Sequence, residues 1–144
     1  MSKLTTPKNS KSLSLFCAKV AAEKLAENII ILDLTDIETA PTDFFVICSC
    51  TSEPQLRAVT ENIMEKSKKA NLDRPRTEGE LGAEWVLIDY FDVVVHIMLA
   101  EIRSFYNIEK LWADAVFYKF NYKTSRLNKA NQTEILNIIN KYKL

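Results

Sequence analysis

Residues 84–98 read EWVLIDYFDVVVHIM, and this stretch decides the fold class. β-Branched, aromatic and aliphatic residues dominate Glu84–Asp89 and Asp92–Leu99, which read as two strands around a short turn. A hairpin turning at Tyr90-Phe91 sets Asp89 opposite Asp92, Leu87 opposite Val94 and Trp85 opposite His96, all on one face. The other face then carries Val86, Ile88, Val93, Val95 and Ile97, entirely aliphatic, and must be core. The mixed face holds a tryptophan, two carboxylates and the single histidine of the chain. Tyr90-Phe91 is poor chemistry for a two-residue turn, which favours residues such as Asn-Gly that accept φ > 0.

Working outward, Phe44–Cys50 reads as a strand, and Ile29–Leu34 as a strand buried on both faces. Ser52-Glu53-Pro54-Gln55 has capping-box spacing with Pro54 in the first turn, so a helix opens there. Leu56, Val59, Thr60, Ile63 and Ser67 form its inner stripe, and Lys66, Lys68 and Lys69 suit its C-terminal end. The spacing Leu13, Phe16, Cys17, Val20, Ala21 predicts an earlier helix capped by Ser12 or Ser14. Asp36–Asp43 and Asn71–Ala83 read as loops, and Glu101–Trp112 as short helix or 3₁₀ structure with Asn107 as a cap within it. The order α-β-β-α-β-β-α implies a mixed sheet with flanking helices in one α/β domain over 12–115. Residues 1–11 look like a loose arm. Residues 116–144 form a lysine- and asparagine-rich tail with one more helix around Ile135–Ile139, and the tail is expected to be separable from the fold.

Composition narrows the chemistry. At 144 residues with 47% hydrophobic and 26% charged residues, one fold buries enough surface to need no disulfide or metal staple. Nineteen basic residues balance nineteen acidic ones, which argues against a sequence-tolerant DNA coater. Two glycines, Gly79 and Gly82, allow neither G-x-G-x-x-G nor a P-loop, and one histidine excludes multi-histidine metal centres. The three cysteines, Cys17, Cys48 and Cys50, read as reduced structural thiols of a cytosol-like compartment. No apolar run approaches a membrane span, and Met1–Lys11 lacks the apolar region of a secretory signal.

The mixed hairpin face has two readings. It serves as a half-buried surface with a satisfied histidine, or as a recognition patch, since aromatic and polar groups around an apolar centre typify binding hot spots. On the second reading the site comprises Trp85, Leu87, Asp89, Tyr90, Asp92, Val94 and His96, with Trp85 as central anchor. No catalytic group, cofactor or metal is called for. Ser52 is better used as a helix cap than as a nucleophile, and Arg74-Pro75-Arg76 as a solvated loop than as a phosphate clamp.

Five stretches carry a resemblance: IIILDL (29–34), TDFFVICSCTSEPQLRAV (42–59), PRTEG (75–79), EWVLIDYFDVVVHIM (84–98) and EIRSFYNIEKLWADA (101–115). In this order and spacing the chain resembles the ribosomal silencing factor family (RsfS, Iojap-like). It departs at Phe91 and Cys50, where the family usually has glycine, and at Ala100, where proline is common. The resemblance implies a nucleotidyltransferase-like mixed α/β fold turned to binding. It implies a cytoplasmic protein that attaches to the large ribosomal subunit through its fourteenth protein. There it blocks the small subunit and represses translation when nutrients are short, while organellar relatives act in large-subunit assembly. Apart from the resemblance, the lysines of the tail are expected to add a weak, salt-sensitive contact to ribosomal RNA, and the free protein has the option of a homodimer. The alternative is a nucleotidyltransferase-like enzyme. That chemistry would need a Gly-Ser turn, absent from this sequence, and carboxylates for Mg²⁺, for which only Asp33, Asp43, Asp89 and Asp92 stand as candidates.

Overall fold

The computed structural model describes residues 5–140. Twelve elements follow in chain order: α1 (Ser10–Glu23), β1 (Glu27–Asp33), β2 (Phe44–Cys50), α2 (Glu53–Lys69), β3 (Arg76–Glu78), β4 (Trp85–Asp89), β5 (Val93–Leu99), α3 (Ala100–Tyr106), α4 (Ile108–Leu111), β6 (Val116–Asn121), β7 (Arg126–Ala130) and α5 (Gln132–Asn140). The strands form one mixed seven-stranded sheet in the order β3-β4-β5-β2-β1-β6-β7. β2 and β5 run parallel and every other neighbouring pair is antiparallel.

Side chains of β1 alternate between two cores. Ile29 and Ile31 pack with Cys17, Val20, Leu56, Val59 and Ile63 from α1 and α2. Ile30 and Leu32 pack on the opposite face with Ile108 of α4 and with Ile135 and Ile139 of α5. An apolar run without alternation is what a strand covered by helices on both sides requires. The aliphatic set Val86, Ile88, Val93, Val95 and Ile97 lies wholly in the first core, as its pattern demands. Cys17, Cys48 and Cys50 are buried free thiols there, and burial pushes all three pKa values up.

The two long helices start where side-chain chemistry can hold their first N–H groups. Ser52 Oγ accepts the Gln55 N–H (3.2 Å), and Gln55 Oε1 reaches back to the Thr51 N–H (2.8 Å). The Gln55 amide also donates to the Leu25 carbonyl (2.9 Å), tying α2 to the end of α1. The cap of α1 differs from the expectation of Ser12 or Ser14. Asn9 is the cap: its Oδ1 accepts the Ser12 N–H (2.8 Å), and Ser12 Oγ accepts the Asn9 N–H (3.1 Å). Ser12 is thus the reciprocal half of a box that opens earlier. The described part of the expected 1–11 arm is accordingly structured in part, with Thr6 Oγ1 donating to the Ala70 carbonyl at 2.5 Å.

The expected division at 115 does not separate a fold from a loose tail. β6 pairs with β1 from Ile30↔Lys119 to Asp33↔Val116, so it covers an edge that β1 would otherwise expose. Phe117 and Phe120 enter opposite cores, and the helix expected near Ile135–Ile139 exists as α5 with both isoleucines buried. Composition misleads here because the polar residues of β7 sit on an outer strand, where one side of the ladder faces solvent. A short strand, β3, also lies within the stretch expected as loop, pairing with β4.

Candidate functional site

β4 and β5 carry the candidate face. The observed register is Asp89↔Val94, Leu87↔His96 and Trp85↔Met98, two positions away from the expected pairing. The loop residues are Phe91 and Asp92, closed by the Tyr90 N–H donating to the Val93 carbonyl (2.8 Å). Asp89 Oδ1 accepts the Phe91 N–H (2.7 Å), and Thr42 Oγ1 donates to the Phe91 carbonyl (2.8 Å). Those bonds hold Phe91 at φ 79°, a region that side chains other than glycine enter at a cost. An even shift preserves the faces of the strands, so Trp85, Leu87 and Asp89 still share a side with Val94 and His96.

Two expected members leave the patch. Tyr90 shares the side of Val86 and Ile88, so its ring packs toward α1 and α2, where its hydroxyl meets Ser67 Oγ at 2.5 Å. Asp92 is an exposed turn residue whose carbonyl accepts the Asp43 and Phe44 N–H groups (3.1 and 3.2 Å).

His96 is on the expected side but not in solvent: it is 7% exposed. Its Nδ1 accepts the indole N–H of Trp85 (3.2 Å), and burial, with Arg103 nearby, lowers its pKa to about 3. Trp85 itself is half-buried against the second core. A neutral ring in the fold and an ordinary one in the unfolded chain link this site to pH. As pH falls below about 6.5 the unfolded chain takes up the proton first, so stability is lost between about 6.5 and about 3. His96→Gln keeps an acceptor for the indole and removes the titration. Between pH 7 and pH 5 the wild type should lose about 2 kcal/mol more stability than this variant in urea unfolding. Parallel losses in the two proteins would show that the ring is accessible.

Around His96 the rings form a chain. Trp112 meets Phe45 edge-on at 6.0 Å, Phe45 meets His96 at 4.6 Å, and His96 meets Trp85 at 6.0 Å. Trp85 then meets Tyr106 at 5.0 Å, and Tyr106 meets Phe105 edge-on at 5.0 Å. The chain starts in the second core and ends in solvent, where Tyr106 is 56% and Phe105 73% exposed. Aromatic pairs in such geometry restrain one another. Phe105 and Tyr106 were not among the candidates from the hairpin, although they stand in the R-S-F-Y stretch at 103–106.

Beneath them lies a buried ion pair. Arg103 Nε donates to Glu109 Oε1 (2.8 Å), with both side chains at most 1% exposed. Arg103 Nη1 also donates to the Asn28 carbonyl (2.7 Å) and Ser49 Oγ (2.9 Å). One guanidinium therefore joins α3 and α4 to β1 and β2. Asn107, at φ 49°, ends α3 between the two partners and turns the chain into α4.

A family model described as "Ribosomal silencing factor during starvation" matches residues 7–138. The chain belongs to this family. It is 38% identical over 107 residues to the ribosomal silencing factor RsfS of Bacillus subtilis, covering 74% of this chain and 90% of that one. It is 30% identical over 115 residues to the chloroplastic protein Iojap of Zea mays, spanning 80% of this chain and 50% of that one. It is 37% identical over 87 residues to the mitochondrial assembly of ribosomal large subunit protein 1 of Mus musculus (56% of this chain, 38% of the other). Crystal structures from Chromobacterium violaceum (TM-score 0.69, 31% identity, 73% of this chain and 87% of that one) and Bacillus halodurans (0.62, 36%, 72% and 95%) share the fold. The ring chain and the Arg103 clamp thus belong to a member of this family.

Proposed function

We propose that this protein binds the large ribosomal subunit through its fourteenth protein and keeps the small subunit from joining, which represses translation. Membership of the ribosomal silencing factor family carries this reading. The site favoured by the geometry is the open end of the ring chain: Tyr106 and Phe105, backed by Trp85, with half-buried Leu87 and Val94 on the sheet and Asp89 at the rim. Exposed aromatics held in place by buried neighbours lose little freedom on binding. A patch of about 800 Å² per partner suffices to exclude a competitor from the same surface. No chemistry is needed, and the protein acts in the cytoplasm, where it meets assembled subunits. Work in large-subunit assembly, as the mouse relative's name records, is compatible with the same contact.

The nucleotidyltransferase-like alternative finds less support. Asp33 is engaged by the Thr35 N–H and hydroxyl (3.0 and 2.6 Å), and Asp89 by the Phe91 N–H (2.7 Å). These carboxylates serve local turns.

Sedimentation with purified subunits tests the proposal. The wild type should travel with large subunits and not with small ones. Tyr106→Ala should cost about 2 kcal/mol of binding, some thirtyfold in affinity, with the melting temperature nearly unchanged. Trp85→Ala lowers both, because Trp85 is part of the packing. Wild-type affinity in both Tyr106→Ala and Phe105→Ala would put the interface elsewhere.

A further inference from the structure

The neutral net charge conceals a strong division. Residues 116–144 hold six basic side chains and one acidic, net +5, while residues 1–115 hold thirteen and eighteen, net −5. The fold gathers most of the positive part on the β6–β7 hairpin at one edge of the sheet. Lys119 is already used, its Nζ 2.7 Å from Glu134. Lys123 in the turn, and Arg126 and Lys129 on opposite faces of the edge strand β7, are exposed and make no ion pair among the described residues. An edge strand carrying cations resists pairing with another sheet, which accounts for some positive charge but not for what flanks it.

Beside these cations sits a fixed ring. Tyr122 is 53% exposed, yet its hydroxyl donates to the Ala26 carbonyl (2.8 Å) and its ring stands edge-on to Phe120 at 5.3 Å. An open depression of about 580 Å³ runs along the hairpin, bordered by Lys123 and Lys129 and, on the α5 side, by Asn121, Asn128 and the paired Lys119 and Glu134. Cations that follow a backbone beside an immobilised aromatic face are the combination that single-stranded nucleic acid requires. An acidic protein surface would use the cations and leave the ring without a role.

We propose that the β6–β7 hairpin is an RNA-binding surface for a single-stranded segment, with Lys123, Arg126 and Lys129 on phosphates and Tyr122 under a base. The reading of the protein as a large-subunit binder supplies the source of that RNA, a loop of the large subunit's own RNA near the docked protein. A negative remainder of the molecule turns the hairpin toward the phosphates and away from the aromatic contact.

The full chain should be titrated against a fluorescein-labelled RNA hairpin with a single-stranded loop, between 50 and 200 mM KCl. Three cations on single-stranded phosphates predict about twentyfold weaker wild-type binding over that range. K123E/R126E/K129E should lose at least tenfold at 50 mM with most of the salt dependence, and the milder K123Q/R126Q/K129Q should lie between. Tyr122→Leu should weaken RNA binding without changing the salt slope. Equal RNA affinity in wild type and both triple variants overturns the proposal, as does absence of wild-type binding at 50 mM. Displacement of the RNA by poly-L-glutamate at equal charge overturns it in favour of an acidic protein partner. No ribosome enters this titration. Failure of the wild type to travel with large subunits would therefore sink the functional reading alone, and unchanged variants would sink this one alone.

Discussion

Arg103→Ala is expected to lower the unfolding free energy by about 3–5 kcal/mol, because it strands the carboxylate of Glu109 in a site that water does not reach. The Asn28 carbonyl and Ser49 hydroxyl lose their donor in the same step. Replacing both partners with apolar residues, as in R103M/E109L, should recover much of that loss, since neither charge then remains to be desolvated. Urea unfolding of the two variants measures both effects, and a single variant within 1 kcal/mol of wild type would show the pair to be dispensable. Function separates the variants differently. The double variant regains packing without the bonds that orient α3, so its large-subunit affinity should stay below that of wild type even where its stability returns. On the proposed site, that outcome would mark the clamp as positioning Phe105 and Tyr106 rather than as a contact.

Removing residues 132–144 is expected to be comparably severe. Ile135 and Ile139 are at most 2% exposed, and burial of two such side chains contributes about 3–6 kcal/mol. Their loss also uncovers Phe117, Leu32 and Leu34, which share their core. Against a typical stability of about 5–15 kcal/mol the shortened chain should melt far earlier and with a weaker transition. A sharp melt near the wild-type temperature would mean that α5 only rests on the domain. Substituting Ile135 and Ile139 by alanine in the full-length chain separates packing from chain length and should reproduce most of the effect.

How far the fold was legible depended on the range over which each signal acts. Ser52, Pro54 and Gln55 announced α2 correctly because a cap is settled within four residues. The aliphatic set on β4 and β5 named its core face because alternation survives any even register shift. The register itself did not follow, since the turn is held by Thr42 and by the Asp43 and Phe44 amides, which are remote in sequence. For the same reason Tyr90 lies on the side opposite to the expected one. The turn lies at Phe91-Asp92, so Tyr90 continues the alternation of β4 and its ring points toward Ser67.

The site shows the same division. Trp85, Leu87 and Val94 could be grouped from the strand pattern, whereas Phe105 and Tyr106 join them only because α3 packs back over β5 and β2 and brings Tyr106 against Trp85. Local chemistry by itself determined that the chain would form a mixed sheet with helices, where the main helix starts, and which aliphatic residues face inward. Tertiary structure decided that His96 is buried, that Arg103 and Glu109 meet, and that residues after 115 complete the sheet. These depend on desolvation and on pairings across tens of residues: Arg103 reaches Asn28, Ser49 and Glu109 at once, and no window of sequence holds all four.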